Sequence, residues 1–209
     1  MTKIDLVTGF LGAGKTTFLA RYGAWLTQNG VRFAVIENEY GAAGVDRTIL
    51  GEQMDNVEEL AGGGICCTLK SGFHAMLARL AKTYDRILVE PSGIYNMDDF
   101  FEVVGMLERD GLYQVGMCLT LVDPHTLSVL NEQERTVLRS ELTGAGAVLW
   151  TKLDVEPAVD LQQAEAQTMA LLDLPDAPSL AFYPAASHQL TDADFAALQQ
   201  AGPVWRDHK

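Results

Sequence analysis

The sequence predicts an α/β fold, a three-layer sandwich in which a mostly parallel sheet carries helices on both faces. Two kinds of segment along the chain predict it. Short segments rich in branched apolar residues alternate along the chain with longer segments whose apolar residues recur at helical spacing. Strands that alternate with helices in this way are joined by crossovers and pair in parallel. The length of 209 residues and the hydrophobic fraction of 48% suit one packed domain over 1–209.

The elements follow from these patterns in chain order. Runs of branched aliphatic residues predict strands at about 3–8, 32–37, 86–90, 115–122, 146–151 and 179–183. Apolar residues three and four positions apart predict helices at about 15–28, 68–83, 97–108, 126–142, 157–173 and 191–200. The segment 39–64 has neither pattern over most of its length, although a short strand near 56–60 is an open alternative. A loop of that length in a compact domain is usually functional.

Composition excludes several classes of protein. The formal net charge is −13, from 28 acidic and 15 basic residues, which argues against a nucleic-acid-binding or anionic-membrane-binding surface. No apolar run approaches the roughly 20 residues of a membrane span. Because the N-terminus leads directly into the first strand, we expect no signal peptide. Three cysteines do not form a disulfide framework, so we expect a cytoplasmic protein.

The segment Gly9 to Thr17 reads G-F-L-G-A-G-K-T-T and is the strongest functional signal. It matches the G-x-x-x-x-G-K-[ST] pattern between a predicted strand and a predicted helix, the context that a phosphate-binding loop requires. Gly9, Gly12 and Gly14 let the backbone turn its N–H groups inward, and the helix N-terminus adds its positive end. Lys15 would reach the β- and γ-phosphates, and Thr16 would supply an oxygen to Mg²⁺. A glycine-rich turn that binds nothing is the weaker alternative.

Polar residues follow two other strands at the edge where ligands bind in such sheets. Glu39 and Asp46 follow the second strand and are candidates for the Mg²⁺ shell. Glu90 ends a buried strand, where it would hold the Mg²⁺ shell or orient the attacking water. Gly93, three residues on, would allow close backbone approach to the γ-phosphate. The alternatives are a polar surface loop for the first pair and a turn cap for Glu90.

Thr151-Lys152-Leu153-Asp154, after the strand at 146–151, resembles the N-K-x-D guanine motif of P-loop GTPases. Asp154 would accept hydrogen bonds from guanine N1–H and the exocyclic amine, a donor pair that adenine lacks. Lys152 would lay its stem over the purine ring. Thr151 departs from the usual Asn and weakens one supporting hydrogen bond. Ala186, after the last strand, lies in a segment whose backbone N–H groups could reach guanine O6.

Adjacent cysteines, Cys66 and Cys67, follow three glycines at a predicted helix start. Helix N-termini lower thiol pKa values, and paired thiolates select soft or borderline metals such as Zn²⁺, Co²⁺ or Ni²⁺. A closed tetrahedral site needs four ligands, so others would come from a second subunit or from candidates nearby, namely Glu39, Glu58, Glu59 and His74. The alternative is two small residues that pack a helix start. Cys118 lies inside a strand, and we expect it in the core. His125 follows a strand end without a partner near it in sequence.

Taken together, five blocks resemble the CobW-like metallochaperone GTPases, relatives of UreG and HypB. They are T-G-F-L-G-A-G-K-T-T at 8–17, N-E-Y-G at 38–41 with Gly44-Val45-Asp46, G-x-C-C at 64–67, E-P-S-G at 90–93 and T-K-L-D at 151–154. The resemblance covers nearly the whole chain. It implies a P-loop NTPase sheet that binds GTP with Mg²⁺, and slow hydrolysis that gates delivery of a metal or a corrinoid to a client metalloenzyme. It also assigns phosphate binding to Gly12, Ala13, Gly14, Lys15, Thr16 and Thr17, and guanine binding to Thr151, Lys152 and Asp154.

The sequence departs from that family's pattern in several places. Ala42 stands where an acidic residue is usual, and Pro91-Ser92 replaces the usual pair of threonines. Gly64 stands at the first position of the family's C-x-C-C, which leaves at most two thiolates in one chain. The chain carries one GTPase domain, whereas most relatives carry a second domain. The economical solution is a homodimer whose four thiolates share one ion.

Two other functions remain open. One is a nucleotide-dependent adaptor on a corrinoid protein that binds no metal itself. The other is a small-molecule P-loop kinase, whose lid would need several arginines, whereas only Arg135 and Arg139 fall in a plausible lid segment.

Overall fold

The computed structural model describes residues 1–37, 57–59, 67–91, 97–109, 111, 113–155, 158–172, 180–184 and 189–202. Within them, seven strands form one sheet, β1 (Thr2–Gly9), β2 (Phe33–Glu37), β3 (Val57–Glu59), β4 (Arg86–Glu90), β5 (Tyr113–Val122), β6 (Ala147–Trp150) and β7 (Ala181–Pro184). The strand order is β3-β2-β4-β1-β5-β6-β7, and every pairing is parallel. The parallel sheet predicted from the alternating pattern is confirmed.

Helices connect the strands. They are α1 (Lys15–Gln28), α2 (Cys67–Leu80), α3 (Met97–Arg109), α4 (Glu132–Gly144), α5 (Leu161–Leu172) and α6 (Asp192–Leu198), with a 3₁₀ helix at Pro124–Thr126. None of the helices in the described part of the chain is long and apolar enough to cross a membrane. The predicted helix at 15–28 is confirmed to the residue, and the short strand left open near 56–60 is present as β3.

The predicted helix over 126–142 is wrong at its start, because α4 begins at Glu132. Asn131 accepts a hydrogen bond from the Glu134 N–H, and the Glu134 side chain accepts one from the Asn131 N–H, a capping box that fixes the boundary. The residues before it turn as the 3₁₀ helix instead. The helix predicted from 157 likewise begins later, at Leu161, after Asp160 accepts from the Gln162 N–H.

The sheet is covered on both faces, which completes the three layers. On one face, α1 and α6 bury their apolar residues against Val7, Val35, Leu88 and Leu119. On the other face, α2 and α3 pack on Ile4, Leu6, Ile87 and Val89. Further along that second face, α4 and α5 cover Val122, Val148 and Trp150. Because successive strand residues point to opposite faces, these continuous apolar strands serve both layers.

A buried carboxylate, Asp5, joins the middle of the sheet. The Arg86 guanidinium donates to both of its oxygens, at 2.6 and 2.7 Å, and the Tyr22 hydroxyl donates at 3.1 Å. The backbone N–H of Met117 donates at 2.8 Å where the pairing of β1 with β5 changes register. Asp5 is fully buried and Arg86 is 5% exposed. One side chain thus ties β1 to β4, β5 and α1.

Replacing Asp5 with Asn should lower the free energy of unfolding by about 3–5 kcal/mol, because it leaves the Arg86 guanidinium buried without a counter-charge. Urea denaturation followed by circular dichroism measures the change. The matched control is Asp85→Asn, which breaks the exposed ion pair with Arg32 and should cost less than about 1 kcal/mol. Equal losses in the two variants would contradict the central role of Asp5.

Candidate nucleotide site

The glycine-rich loop between β1 and α1 contains three residues with positive φ, a backbone conformation that glycine adopts far more readily than other residues. Gly9, Gly12 and Gly14 have φ values of 136°, 78° and 91°. Gly14 immediately precedes α1, and its carbonyl accepts the first helical bond, from Phe18 at 2.9 Å. At Gly9 a side chain is also excluded by space, since a Cβ would lie 2.5 Å from the Leu121 carbonyl oxygen. The loop therefore turns sharply from the central strand into the helix N-terminus.

Lys15, the first residue of α1, lies folded back along this loop. Its Nζ donates to the carbonyl oxygens of Gly9 at 2.8 Å and Phe10 at 3.1 Å. The Glu90 carboxylate, at the end of β4, lies 3.7 Å from the same Nζ. Lys15 is only 8% exposed, so its charge acts in a poorly screened setting. The sheet thus brings together two residues that are 75 positions apart in the sequence (90 minus 15).

A buried glutamate that the sequence analysis missed supports the start of the loop. Glu141, on α4, accepts a hydrogen bond from the Gly9 N–H at 3.3 Å through Oε1, and it is 6% exposed. Its other oxygen, Oε2, has no hydrogen-bond partner among the described residues. Burial raises the pKa of this carboxyl to about 7, against the opposing effects of the Gly9 hydrogen bond and the Lys15 charge. A signal existed, because Glu141 interrupts the apolar stripe of Leu138 and Leu142.

The segment that resembles a guanine motif follows β6 at the same edge of the sheet. Thr151 is buried, its N–H donates to the Val122 carbonyl at 2.9 Å, and its hydroxyl has no hydrogen-bond partner among the described residues. Lys152 has φ 55°, and Asp154 is exposed in the turn that the Val155 N–H closes onto the Lys152 carbonyl at 3.1 Å. The Asp154 carboxylate is therefore free of the core and open to a ligand.

Two further residues, Asp123 and His125, lie next to this turn. The sequence analysis assigned no role to Asp123 and found no nearby partner for His125. Asp123, directly after β5, lies 3.0 Å from the Lys152 ammonium. Asp123 also accepts from the His125 N–H, at 3.0 Å, and faces its ring Nδ1 at 2.9 Å. The expectation that His125 has no partner near it in sequence is wrong, because Asp123 is two residues away. The His125 Nε2 also lies 3.1 Å from the Val155 carbonyl oxygen. Burial alone would raise the pKa of Asp123, but the hydrogen bonds from Lys152 and His125 hold it below its ordinary value.

A cavity of about 320 Å³ lies between the glycine-rich loop and this turn. Apolar side chains line most of it, and Asp123, Lys152 and Glu134 add charge. Its lining includes Phe10, Leu11, Gly12 and Ala13 from the loop, and Val129 and Leu130 from the segment before α4.

Several predicted site residues lie outside the described residues, namely Glu39, Asp46, Cys66, Gly93 and Ala186. Cys67 is the first residue of α2, close to the helix start predicted near Thr68. Within the described part of the chain, no three His, Cys, Asp or Glu side chains lie close enough together to hold a metal ion. Cys118 is buried in β5 as expected, and burial raises the pKa of its thiol. The metal assignments therefore stay predictions.

Residues 3–174 match the family model for the nucleotide-binding domain of CobW/HypB/UreG proteins. Among curated proteins, the zinc chaperone YjiA of Escherichia coli K12 is 33% identical over 164 residues, covering 73% of this chain and 49% of YjiA. The zinc chaperone CobW of Pseudomonas aeruginosa is 40% identical over 134 residues, covering 57% of this chain and 35% of that protein. The chain thus spans about half the length of YjiA, and less of CobW.

Solved structures have the same fold. The Zn(II)-bound YjiA GTPase from E. coli superposes with a TM-score of 0.56 at 24% identity, covering 92% of this chain and 62% of that one. HypB from Helicobacter pylori in complex with nickel superposes with a TM-score of 0.56 at 14% identity, covering 95% and 84%. At these identities the likeness concerns the fold.

Replacing Glu141 with Gln should stabilise the protein in a pH-dependent way. Because the folded-state pKa of about 7 exceeds the ordinary value of 4.5, wild type loses stability as pH rises through that window. The Gln variant keeps an acceptor for the Gly9 N–H and does not titrate, so its advantage should grow to about 2–3 kcal/mol above pH 7. Urea unfolding between pH 5 and pH 8.5 measures the difference. The matched control is Glu132→Gln, at an exposed position of the same helix, and a pH-independent difference between wild type and Glu141→Gln would contradict the assignment.

Proposed function

This chain belongs to the CobW/HypB/UreG family of P-loop GTPases, and we propose that it binds GTP with Mg²⁺, hydrolyses it slowly, and thereby gates delivery of a metal ion to a client metalloprotein. The observation that carries the proposal is the convergence of Lys15, Glu90 and the Thr151–Asp154 turn at the carboxyl edge of one sheet. Parallel sheets bind ligands at this edge. The zinc chaperones named among the relatives support the metal part.

In this proposal the loop at 9–17 holds the phosphates of GTP. Lys15 binds the β- and γ-phosphates, exchanging its contacts with the carbonyls of Gly9 and Phe10 for phosphate oxygens. The donor set fits Mg²⁺, since a hydroxyl at Thr16 and a carboxylate at Glu90 are the hard oxygen ligands that it prefers. Glu39 and Asp46 are proposed for the same shell. Mg²⁺, when bound, would neutralise charge that develops on the phosphates during transfer.

Hydrolysis by the chain alone should be slow, on the order of minutes or longer per turnover, as in GTPases that lack a partner's catalytic group. Glu90 and Gly93 are the proposed catalytic contributors from the segment after β4. Arg135 and Arg139, the candidates for a kinase lid, both lie in α4, where their Nε atoms donate to the carbonyls of Leu130 at 3.1 Å and Leu171 at 2.6 Å. Their positions favour the GTPase over the kinase.

The base is read by the turn after β6. Asp154 accepts from guanine N1–H and the 2-amino group, Lys152 covers one face of the ring, and the backbone at Ala186 donates to O6. The exposure of Asp154 and the firm anchoring of Thr151 to β5 support these roles.

The metal is proposed to bind at Cys66 and Cys67. The start of α2 at Cys67 supports it, because a helix N-terminus favours thiolate over thiol. Zinc is the metal that the names of the relatives favour, with Co²⁺ and Ni²⁺ as alternatives. A dimer would complete four thiolates around one ion. A cytoplasmic setting and a corrinoid protein as client remain part of the proposal. The alternative is a nucleotide-dependent adaptor on a corrinoid protein that binds no metal itself.

Asp154→Asn should weaken GTP binding by on the order of 10- to 100-fold and raise affinity for XTP, because an amide can donate to the xanthine C2 oxygen. Isothermal titration with GTP, XTP and ATP in Mg²⁺ measures the change. Lys15→Ala is the companion variant, and it should abolish tight binding of every nucleotide through loss of the phosphate contact. Equal affinity of wild type for ATP and GTP would reject the guanine assignment, and unchanged GTP affinity of Lys15→Ala would reject the phosphate site.

The thiolate proposal predicts one Zn²⁺ per two chains and dimerisation promoted by Zn²⁺ with GTP. The double variant Cys66→Ser, Cys67→Ser should lose both, whereas Cys118→Ala, which removes a buried thiol, should keep them. Metal analysis and multi-angle light scattering on one sample decide the matter. A zinc-free monomer under saturating GTP and zinc would favour the adaptor.

A further inference from the structure

Lys152 has a backbone conformation that its side chain disfavours. Among the described residues it is the one non-glycine residue with positive φ, at 55°. Such conformations cost free energy and persist where the surroundings over-determine them. Two contacts of the main chain fix its neighbours, Thr151 to Val122 at 2.9 Å and Val155 to Lys152 at 3.1 Å. The remaining contact is made by the side chain, to Asp123.

Contacts other than the one with Lys152 orient the Asp123 carboxylate. It caps the 3₁₀ helix at Pro124–Thr126, and its Oδ1 accepts from the His125 N–H at 3.0 Å and faces the ring Nδ1 at 2.9 Å. Its side chain is only 11% exposed, which limits screening of its charge. Its second oxygen, Oδ2, is thereby aimed at Lys152 Nζ, 3.0 Å away. The carboxylate acts as a fixed anchor for a more exposed ammonium group.

His125 extends the anchor to the other end of the turn. Its Nε2 lies 3.1 Å from the carbonyl oxygen of Val155, the residue after Asp154. The turn is thus held on both sides of Asp154, by Asp123 at Lys152 and by His125 at Val155. These two contacts lie on either side of Asp154, whose carboxylate is assigned to base recognition. Asp123 and His125 follow β5, whereas the turn itself follows β6.

We propose that Asp123, with His125, is a positioning residue for nucleobase discrimination. Asp123 holds Lys152 in its left-handed conformation, and so places Asp154 two residues further on, without touching the base itself. The inference rests on the proposed guanine function. It predicts that loss of Asp123 relaxes the turn and weakens recognition of the guanine 2-amino group, while the phosphate loop at 9–17 keeps its affinity.

The experiment compares three ligands in Mg²⁺ by isothermal titration: GTP, ITP and inorganic triphosphate. ITP lacks only the 2-amino group, so the GTP-to-ITP affinity ratio reports the placement of Asp154, whereas triphosphate reports the phosphate loop alone. Stacking of the Lys152 stem affects both nucleotides alike and cancels in the ratio. The variants are Asp123→Asn, its combination with Lys152→Gly, and the control Asp85→Asn, which removes a carboxylate from the exposed ion pair with Arg32.

For Asp123→Asn we expect the ratio to fall by about 10-fold, the scale of one hydrogen bond to a charged group, with triphosphate affinity within about twofold of wild type. Adding Lys152→Gly should restore much of the ratio, because glycine adopts positive φ without an anchor. Asp85→Asn should behave as wild type. Circular dichroism verifies that each variant is folded.

An unchanged ratio in Asp123→Asn, or no recovery with Lys152→Gly, would overturn the inference. A parallel loss of triphosphate affinity would overturn it too, since it would indicate general damage to the edge of the sheet. If wild type binds GTP, ITP and ATP equally, the proposed guanine function itself is rejected. This outcome is seen in wild type alone, so it is distinct from the three outcomes that the variants test.

Discussion

The buried ion pair between Asp5 and Arg86 is the interaction on which the rest of this protein depends. Asp5 lies in the central strand, and its carboxylate receives donors from β4, from the β5 backbone and from Tyr22 of α1. A charge in the core is stable only where every lone pair is used, so the position of each partner is constrained by the others. Since β1 leads into the glycine-rich loop and β4 ends at Glu90, the same hub sets the two strands from which the nucleotide site is built.

The site repeats this arrangement on a smaller scale at the carboxyl edge. The Gly9 N–H donates to the Glu141 carboxylate, and the Lys15 ammonium lies between the carbonyls of Gly9 and Phe10 and the Glu90 carboxylate. Each of these charges is held where solvent screening is weak. The electrostatic balance of the loop therefore depends on the protonation of Glu141, whose pKa burial raises while the Lys15 charge lowers it.

The turn after β6 is organised differently, since its anchor comes from a neighbouring strand connection rather than from the core. Asp123 and His125 follow β5, whereas the residues they hold follow β6. Under the proposed guanine function, an edge built in this way would allow base recognition to vary while the glycine-rich loop keeps its structure. Thr151, at the first position of the motif, is tied to the end of β5 by its backbone N–H and not by its side chain, whose hydroxyl makes no hydrogen bond within the described residues.

The sequence by itself determined the alternation of strands and helices, the loop at 9–17 and the family blocks, because these depend on local periodicity and on residues with unusual backbone freedom such as Gly12 and Gly14. It misplaced the start of α4, where a local capping box at Asn131 decided the boundary. Only the tertiary structure decided that Glu141 supports Gly9, 132 positions away, and that His125 reaches the Val155 carbonyl, 30 positions away. Such contacts arise from strand order and from helix packing across the sheet, and no spacing along the chain encodes which strand connections will meet.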